Sequence, residues 1–191
     1  MTPKRADIIL AEAGNDVDAL RDATSNADPT VRALALGSLS RLAALTDTDL
    51  FEALADPDAL VRVRAIELAI PSGEIDLVHL LADDHDLVVE TAAWALGERT
   101  ENLPEAVTAL SLTATSHDIS ICREAAIAAL GAIGSPDGLN AILAGLDDRA
   151  PVRRRAVLAL APFDTPEVTA ALEAATQDRD RQVRQAAEDL L

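Results

Sequence analysis

Aromatic side chains are nearly missing from this chain of 191 residues: tyrosine is absent, and only Trp94, Phe51 and Phe163 represent the class. A core without aromatics must be built from alanine, leucine, valine and isoleucine, whose small volumes and few rotamers let helices approach closely. Strand-forming runs of β-branched residues are missing too, while the strongest helix formers abound, so the chain reads as all-α. Cysteine occurs once, at Cys122, which excludes an internal disulfide. No apolar run approaches the ~18–20 residues that span a bilayer. The stretch 1–14 has too short an apolar centre for a secretory leader, and a cytoplasmic location with no membrane partner is expected. Also absent are an HExxH motif, a glycine-rich phosphate loop and paired cysteines. His79, His85 and His117 fall in different segments, with no nucleophile at useful spacing. The run Asp83-Asp84-His85-Asp86 lacks the ligand spacing and glycine of a calcium loop and reads as a solvated turn. The expectation is therefore no catalytic residue, no cofactor and no metal.

Lysine is scarce in the same way. Lys4 stands alone beside fifteen arginines, and the sixteen bases face 33 acids, of which 21 are Asp and 12 Glu, for a net charge of −17. Such a balance matches a protein of a salt-accumulating, halophilic cytoplasm, where dense carboxylates hold water and molar salt screens their repulsion over about 3 Å. It argues against nucleic acid as a partner, since the chain lacks both a phosphate-neutralising face and a stacking platform. The charge is uneven: residues 1–146 carry nine bases and 24 acids, net −15, whereas residues 147–191 carry seven and nine, net −2.

What the chain does have is a pattern used six times. Its anchors are Val31, Val61, Val88, Cys122, Val152 and Val183, spaced by 30, 27, 34, 30 and 31 residues. Alanine stands four residues beyond every anchor (Ala35, Ala65, Ala92, Ala126, Ala156, Ala187). A fixed period near thirty residues marks a stacked repeat, in which no unit can bury its apolar face without a neighbour. Each unit reads as two antiparallel helices, the second containing the anchor. Helix starts are marked by Thr46 or Thr48, Asn102-Leu103-Pro104-Glu105, Ser135-Pro136 and Thr165-Pro166, and Pro71-Ser72-Gly73 separates the second unit from the third. Acidic turns such as Asp56-Pro57-Asp58, Asp147-Asp148 and Asp178-Arg179-Asp180 separate the helices of a pair, where Asp caps the next helix. The units run approximately over 16–44, 45–70, 71–100, 101–133, 134–162 and 163–191, within one domain spanning 1–191. Residues 3–13 form a capping helix, and Glu188 gives the last unit a polar face where the others carry apolar residues.

On a helical wheel, positions 0, +4, +7, +8 and +11 from the anchor share one side and are apolar. The residue at +1 lies at the edge of that side and is Arg32, Arg62, Arg123, Arg153 or Arg184, with Val89 the exception. Arginine there, beside a carboxylate turn, suggests a structural ladder holding Asp side chains or turn carbonyls of an adjacent unit. Capture of a phosphate by this arginine row is the competing reading, opposed by the local surplus of Asp. Cys122 takes an anchor position and reads as a small buried hydrophobe. Positions +2 and +6 point away from the core and would align into surface rows: Trp94, Glu67 and Leu158 with Gly37 and Ala128 in one, Glu90, Glu124 and Arg154 in the other. Trp94 either packs locally across the groove or anchors a partner. Arg153-Arg154-Arg155 reads as a ladder arginine plus a solvated face.

The segment from Asp118 through Cys122-Arg123, Ala126 and Ala129-Leu130 to Gly131 carries the pattern D-x-x-x-V-R-x-x-A-x-x-A-L-G nearly intact. This resembles the short HEAT-like repeat family, in the version found in phycobiliprotein lyase subunits, and the resemblance covers the chain from about residue 16 onward. It implies a right-handed α-α superhelix of about six helix pairs with the second helices on the concave side. A non-catalytic scaffold or adaptor is the function favoured, taking a basic or amphipathic segment of another protein on the surface around Trp94, Glu67, Glu90, Glu124, Leu158 and Arg154. Similar archaeal proteins accompany signalling components, which suggests a signalling adaptor. The alternatives implied by the resemblance are a bilin-lyase-like subunit or chaperone, for which aromatics are too few, and a HEAT-like DNA-binding protein, for which the charge has the wrong sign.

Overall fold

The computed structural model describes residues 3–99 and 104–191, and all regular structure among them is helical. The chain divides into two compact units, Met1–Asp76 and Leu77–Leu191. The first holds α1 (Arg5–Ala13), α2 (Val17–Ala23), α3 (Pro29–Arg41), α4 (Asp47–Leu54) and α5 (Ala59–Ala69). In it α1, α2 and α5 pack on α3, and α4 packs on α5. The second holds α6 (Asp86–Glu98), α7 (Pro104–Ser116), α8 (Ser120–Ile133), α9 (Leu139–Ala144), α10 (Ala150–Ala159), α11 (Pro166–Ala175) and α12 (Arg181–Glu188). Here α8 lies between α6 and α10, α10 touches α12, and α7 and α11 cover α8 and α12.

The anchors explain this stacking. Val31, Val61, Val88, Cys122, Val152 and Val183 are at most 1 % exposed, and the alanine four residues after each is fully buried. One helical turn separates the two, so each second helix shows its neighbours a stripe of small side chains. Glycine nine residues after the anchor tightens the approach further. A Cβ on Gly97 would lie 2.9 Å from the Cα of Ala129, and one on Gly131 would lie 2.7 Å from the Cα of Ala159. The A-L-G ending of the motif is thus a place where one helix backbone meets the next.

Two first helices depart from the expected pattern. In the third repeat the first element is a five-residue 3-10 helix, Val78–Ala82. The spacing of 27 between Val61 and Val88 is the shortest of the five, and Pro71-Ser72-Gly73 consumes part of it. In the fifth repeat α9 has only six residues, with 3-10 turns at Pro136–Gly138 and Gly145–Asp147 on either side. Gly138 and Gly145 are pressed against Leu130 and Ile127, where a Cβ would come within 2.9 and 2.5 Å of those side chains.

Caps follow the sequence with exceptions. Thr46 caps α4 in a capping box with Asp49, and Thr165 accepts from Val168 N ahead of Pro166. Asp16, Asp28, Asp58 and Asp180 accept amide hydrogens at the starts of α2, α3, α5 and α12. Ser135, expected to cap, makes no such bond, because only a single 3-10 turn follows it. The helix start read at Asn102-Leu103 lies outside the described residues.

α1 packs against α2 and α3. Ile8 of α1 joins the cluster of Leu20, Ala23, Val31, Ala35 and Leu39. Glu12 of α1 accepts from Ser38 Oγ at 2.7 Å and from Arg41 Nε and Nη2 at 2.6 Å. Those bonds, Arg41 first, hold the Glu12 carboxyl down at about 2, against an ordinary 4.5. Glu188 is exposed, whereas its counterparts Leu36, Ile66, Ala93, Ile127 and Val157 are buried.

Candidate functional site

Trp94 lies at position +6 of α6, on the side away from Val88 and Ala92, and 47 % of its surface is exposed. It borders a cleft of about 330 Å³ between α6 and α8. The cleft floor is apolar, made by Ile121, Ala125, Ala128 and Ala129, and its rim carries Glu90, Glu98 and Glu124. One cation, Arg155, reaches it from α10 and approaches Glu124 Oε1 at 3.4 Å. Glu124 and Arg155 also line a second cleft, with Arg154, Leu158, Asp180 and Gln182. The structure therefore gathers Trp94, Glu90 and Glu124 in one hollow, and Leu158 and Arg154 in the adjoining one. Glu67 belongs to the first unit, where it accepts from Arg64 Nη1 at 2.8 Å in a shallow depression with Val63 and Leu34.

The +6 row needs one correction. Gly37, read as its first surface member, is buried. A Cβ there would meet the Arg64 guanidinium at 2.7 Å, so Arg64 lies over the glycine and closes the row. Ile121 and Glu98 belong to the Trp94 cleft but carried no sequence signal, since they stand at different repeat positions, and Arg155, read from the sequence as part of a solvated basic run, lines it too.

The arginine ladder has a regular geometry with two kinds of contact. In the first, each guanidinium donates through Nη1 to a carbonyl of the turn inside its own helix pair. Arg32 reaches Asn26 O at 2.8 Å, Arg62 reaches Asp56 O at 2.9 Å, Arg123 reaches His117 O at 2.7 Å, Arg153 reaches Asp148 O at 2.8 Å and Arg184 reaches Asp178 O at 2.7 Å. In the second, Nε and Nη2 form a two-pronged bond to the Asp of the following repeat. Arg32 takes Asp56, Arg123 takes Asp148 and Arg153 takes Asp178, all between 2.6 and 2.8 Å. One Asp residue thus receives the previous arginine on its carboxylate and the next on its carbonyl. This fork-to-carboxylate fit is one that lysine cannot make, and it accounts for arginine at +1.

The electrostatics agree. Arg123 and Arg153 hold Asp148 and Asp178 below the usual carboxylate range, and the carboxylates raise the arginines in return. Arg153 is only 5 % exposed. With their donors committed, Arg32, Arg123 and Arg153 are engaged in structure, which opposes the phosphate reading for them. The sequence named the arginines but not their individual partners; the signal was the acidic residue four or five places before the next anchor.

At the third repeat the rung changes. Val89 replaces arginine and is fully buried. The matching acceptor five residues before the next anchor is His117, whose Nδ1 accepts the amide of Ile119 at 3.2 Å. The anchor itself is Cys122, buried as expected, with its thiol donating to the Asp86 carbonyl at 3.5 Å. Burial pushes this thiol up to about 11, with Asp86 and Glu90 adding to the effect, so it is no free nucleophile.

Comparison with known proteins places this geometry. Residues 112–191 match the family model of HEAT repeats. The chain superposes over 93 % of its length on the crystal structure of an engineered protein, covering 95 % of it with a TM-score of 0.60 and 20 % identity. A designed armadillo repeat protein gives 0.56 at 21 % identity, with 92 % of this chain and 98 % of that one covered. Human deoxyhypusine hydroxylase in complex with glycerol gives 0.52 at 20 % identity over 96 % of this chain and 75 % of that one. At identities this low the likeness is one of fold: the protein is an α-α repeat solenoid. No curated protein matches the chain. Among the described residues, no helix is long and apolar enough to cross a membrane.

Proposed function

We propose that the protein is a non-catalytic binding scaffold whose second-helix surface receives a basic, amphipathic segment of another protein, with Trp94 as the anchor. The observation that carries this is a half-exposed tryptophan beside an apolar floor, with three carboxylates around it. Tryptophan against a small-residue floor offers a large apolar contact at low entropic cost, and such residues dominate interface energies. The carboxylates select the sign of the partner's charge and speed its encounter. Leu158 and Arg154 extend the surface into the adjoining cleft, and Glu67 holds the same repeat position as Trp94 in the first unit. A net charge of −17 favours a basic ligand throughout. An adaptor role in a salt-rich cytoplasm, within a signalling assembly, is the narrower form of this proposal.

Trp94 also supplies the assay, because the chain has no other tryptophan and no tyrosine. Peptides selected on the immobilised protein from a random display library should be enriched in Arg or Lys interleaved with apolar residues. They should shift Trp94 emission, and lose at least ~10-fold in affinity on Trp94→Ala, the scale of an interface hot spot. Selection of acidic or featureless peptides, or of peptides indifferent to Trp94→Ala, would defeat the proposal.

A further inference from the structure

The interrupted rung holds a second feature, independent of the Trp94 cleft. Three repeat positions depart from the pattern at the contact between the third and fourth repeats: Val89 for arginine, His117 for the acceptor Asp and Cys122 for valine. They are linked in space. Where the rung is present, the arginine at +1 reaches the acceptor that precedes the next anchor, and position 89 stands in that relation to position 117. With Val89 the guanidinium that would fill this space is gone; Arg123 stays beside the site, with Nη1 on the His117 carbonyl at 2.7 Å and Nε and Nη2 tied to Asp148. What remains close together is a carboxylate oxygen of Asp86, a ring nitrogen of His117 and Sγ of Cys122, all within 4.8 Å of one another. Asp86 is in the first turn of α6, His117 in the turn between α7 and α8, and Cys122 on α8, so the donors converge from three segments.

We propose that Asp86, His117 and Cys122 form a binding site for a divalent cation of the zinc class. The donor set selects the metal. One thiolate, one imidazole and one carboxylate suit a borderline cation in tetrahedral geometry, whereas magnesium and calcium want oxygen throughout. Tetrahedral bonds of about 2.0–2.3 Å put donor atoms roughly 3.3–3.8 Å apart, so the cluster contracts by about 1 Å on binding. Asp86 is exposed and His117 half-buried, which leaves both free to turn, while Cys122 is fixed on its helix. Asp86, His117 and Asp118 line an open cleft of about 490 Å³, which gives the ion an approach and a fourth position for water. On binding, the Cys122 S–H bond breaks, a metal–sulfur bond forms, and the proton passes to solvent. His117 contributes the lone pair that now accepts from Ile119, or carries its proton across the ring to Nδ1; either way one 3.2 Å amide contact is exchanged for a metal bond.

The test is titration of the full-length, chelator-treated protein with cobalt(II), then displacement by zinc. One equivalent of cobalt should bind with a thiolate-to-metal charge-transfer band and visible tetrahedral transitions, and zinc should abolish both. Cys122→Val restores the residue of the other repeats; it should remove the charge-transfer band and weaken zinc binding by about 100-fold or more, at least the loss that follows removal of an outer-shell partner. His117→Ala, at a half-buried turn, should do the same, with circular dichroism confirming the fold. Absence of a thiolate band in the parent protein, or equal metal uptake by parent, Cys122→Val and His117→Ala, would overturn the proposal, the latter by assigning the uptake to the acidic surface alone.

Discussion

The contact between the fourth and fifth repeats and the contact between the third and fourth are made alike in backbone and differently in polar chemistry. Across the first, Arg123 clasps Asp148 with two bonds of 2.6 and 2.7 Å. Across the second, a buried valine stands where the arginine would be, and a histidine where the Asp would be. Yet the helices meet in the same manner, Gly131 over Ala159 in one case and Gly97 over Ala129 in the other. The approach is therefore set by small residues and apolar burial, and the rung answers a different need. It satisfies turn carbonyls and one carboxylate that the stack would otherwise strand. Where no rung is made, the space is available for another use.

Removing half of an intact rung should have the largest effect. Arg153→Ala leaves the Asp178 carboxylate and the Asp148 carbonyl without their donor in a nearly closed site, and should cost about 3 kcal/mol, the low end for breaking a buried pair. Asp118→Asn, at the broken rung, should stay within about 0.5 kcal/mol, as surface changes usually do. Chemical denaturation of both variants measures the contrast, and comparable losses would show that the two contacts are not so different after all.

Crowding the backbone contact should come next. Gly131→Ala places a methyl 2.7 Å from Ala159 Cα and Cβ. Overpacking of about 1–3 kcal/mol should outweigh the ~1 kcal/mol that alanine gains over glycine in a helix. A rise in melting temperature would show that α8 and α10 can separate freely.

Rebuilding the missing rung is the sharper test of its logic. Val89→Arg and His117→Asp should each destabilise alone, the first by burying a charge and the second by leaving a carboxylate without its donor. Together they should recover part of the loss, with a coupling of about 1 kcal/mol or more in a double-mutant cycle. Additive losses would mean that rung and acceptor are not read as a pair.

Acid should produce the smallest effect and a graded one. Asp148, Asp178 and Glu12 are held below their ordinary values when folded, so each adds stability that is whole above its unfolded value and fades as pH falls through the lowered one. For Glu12 that window runs from 4.5 down to about 2. Loosening of α1 on acidification, followed by hydrogen exchange at Ile8, should vanish in Glu12→Gln.

Much of this architecture was legible in the residues. The anchor valines and the alanines one turn on announced which face of each second helix is buried, because helical periodicity converts spacing directly into a side. The +1 arginines were legible as a structural row for the same reason. Their partners were not, since which Asp of a turn meets which guanidinium depends on how far one helix pair is advanced on the next. The shortened first helix of the fifth repeat was equally hidden, because Gly138 and Gly145 pack against Leu130 and Ile127, contacts that lie outside the helix itself.

The sequence by itself thus determined the period, the buried stripe and the all-helical class, which depend on contacts a few residues apart. Only the tertiary structure decided that Gly37 is covered by Arg64, that Trp94 borders a carboxylate-rimmed hollow, and that Asp86, His117 and Cys122 lie within 4.8 Å of one another. Each of these joins residues from different helices, and their distance is fixed by packing that no local pattern encodes.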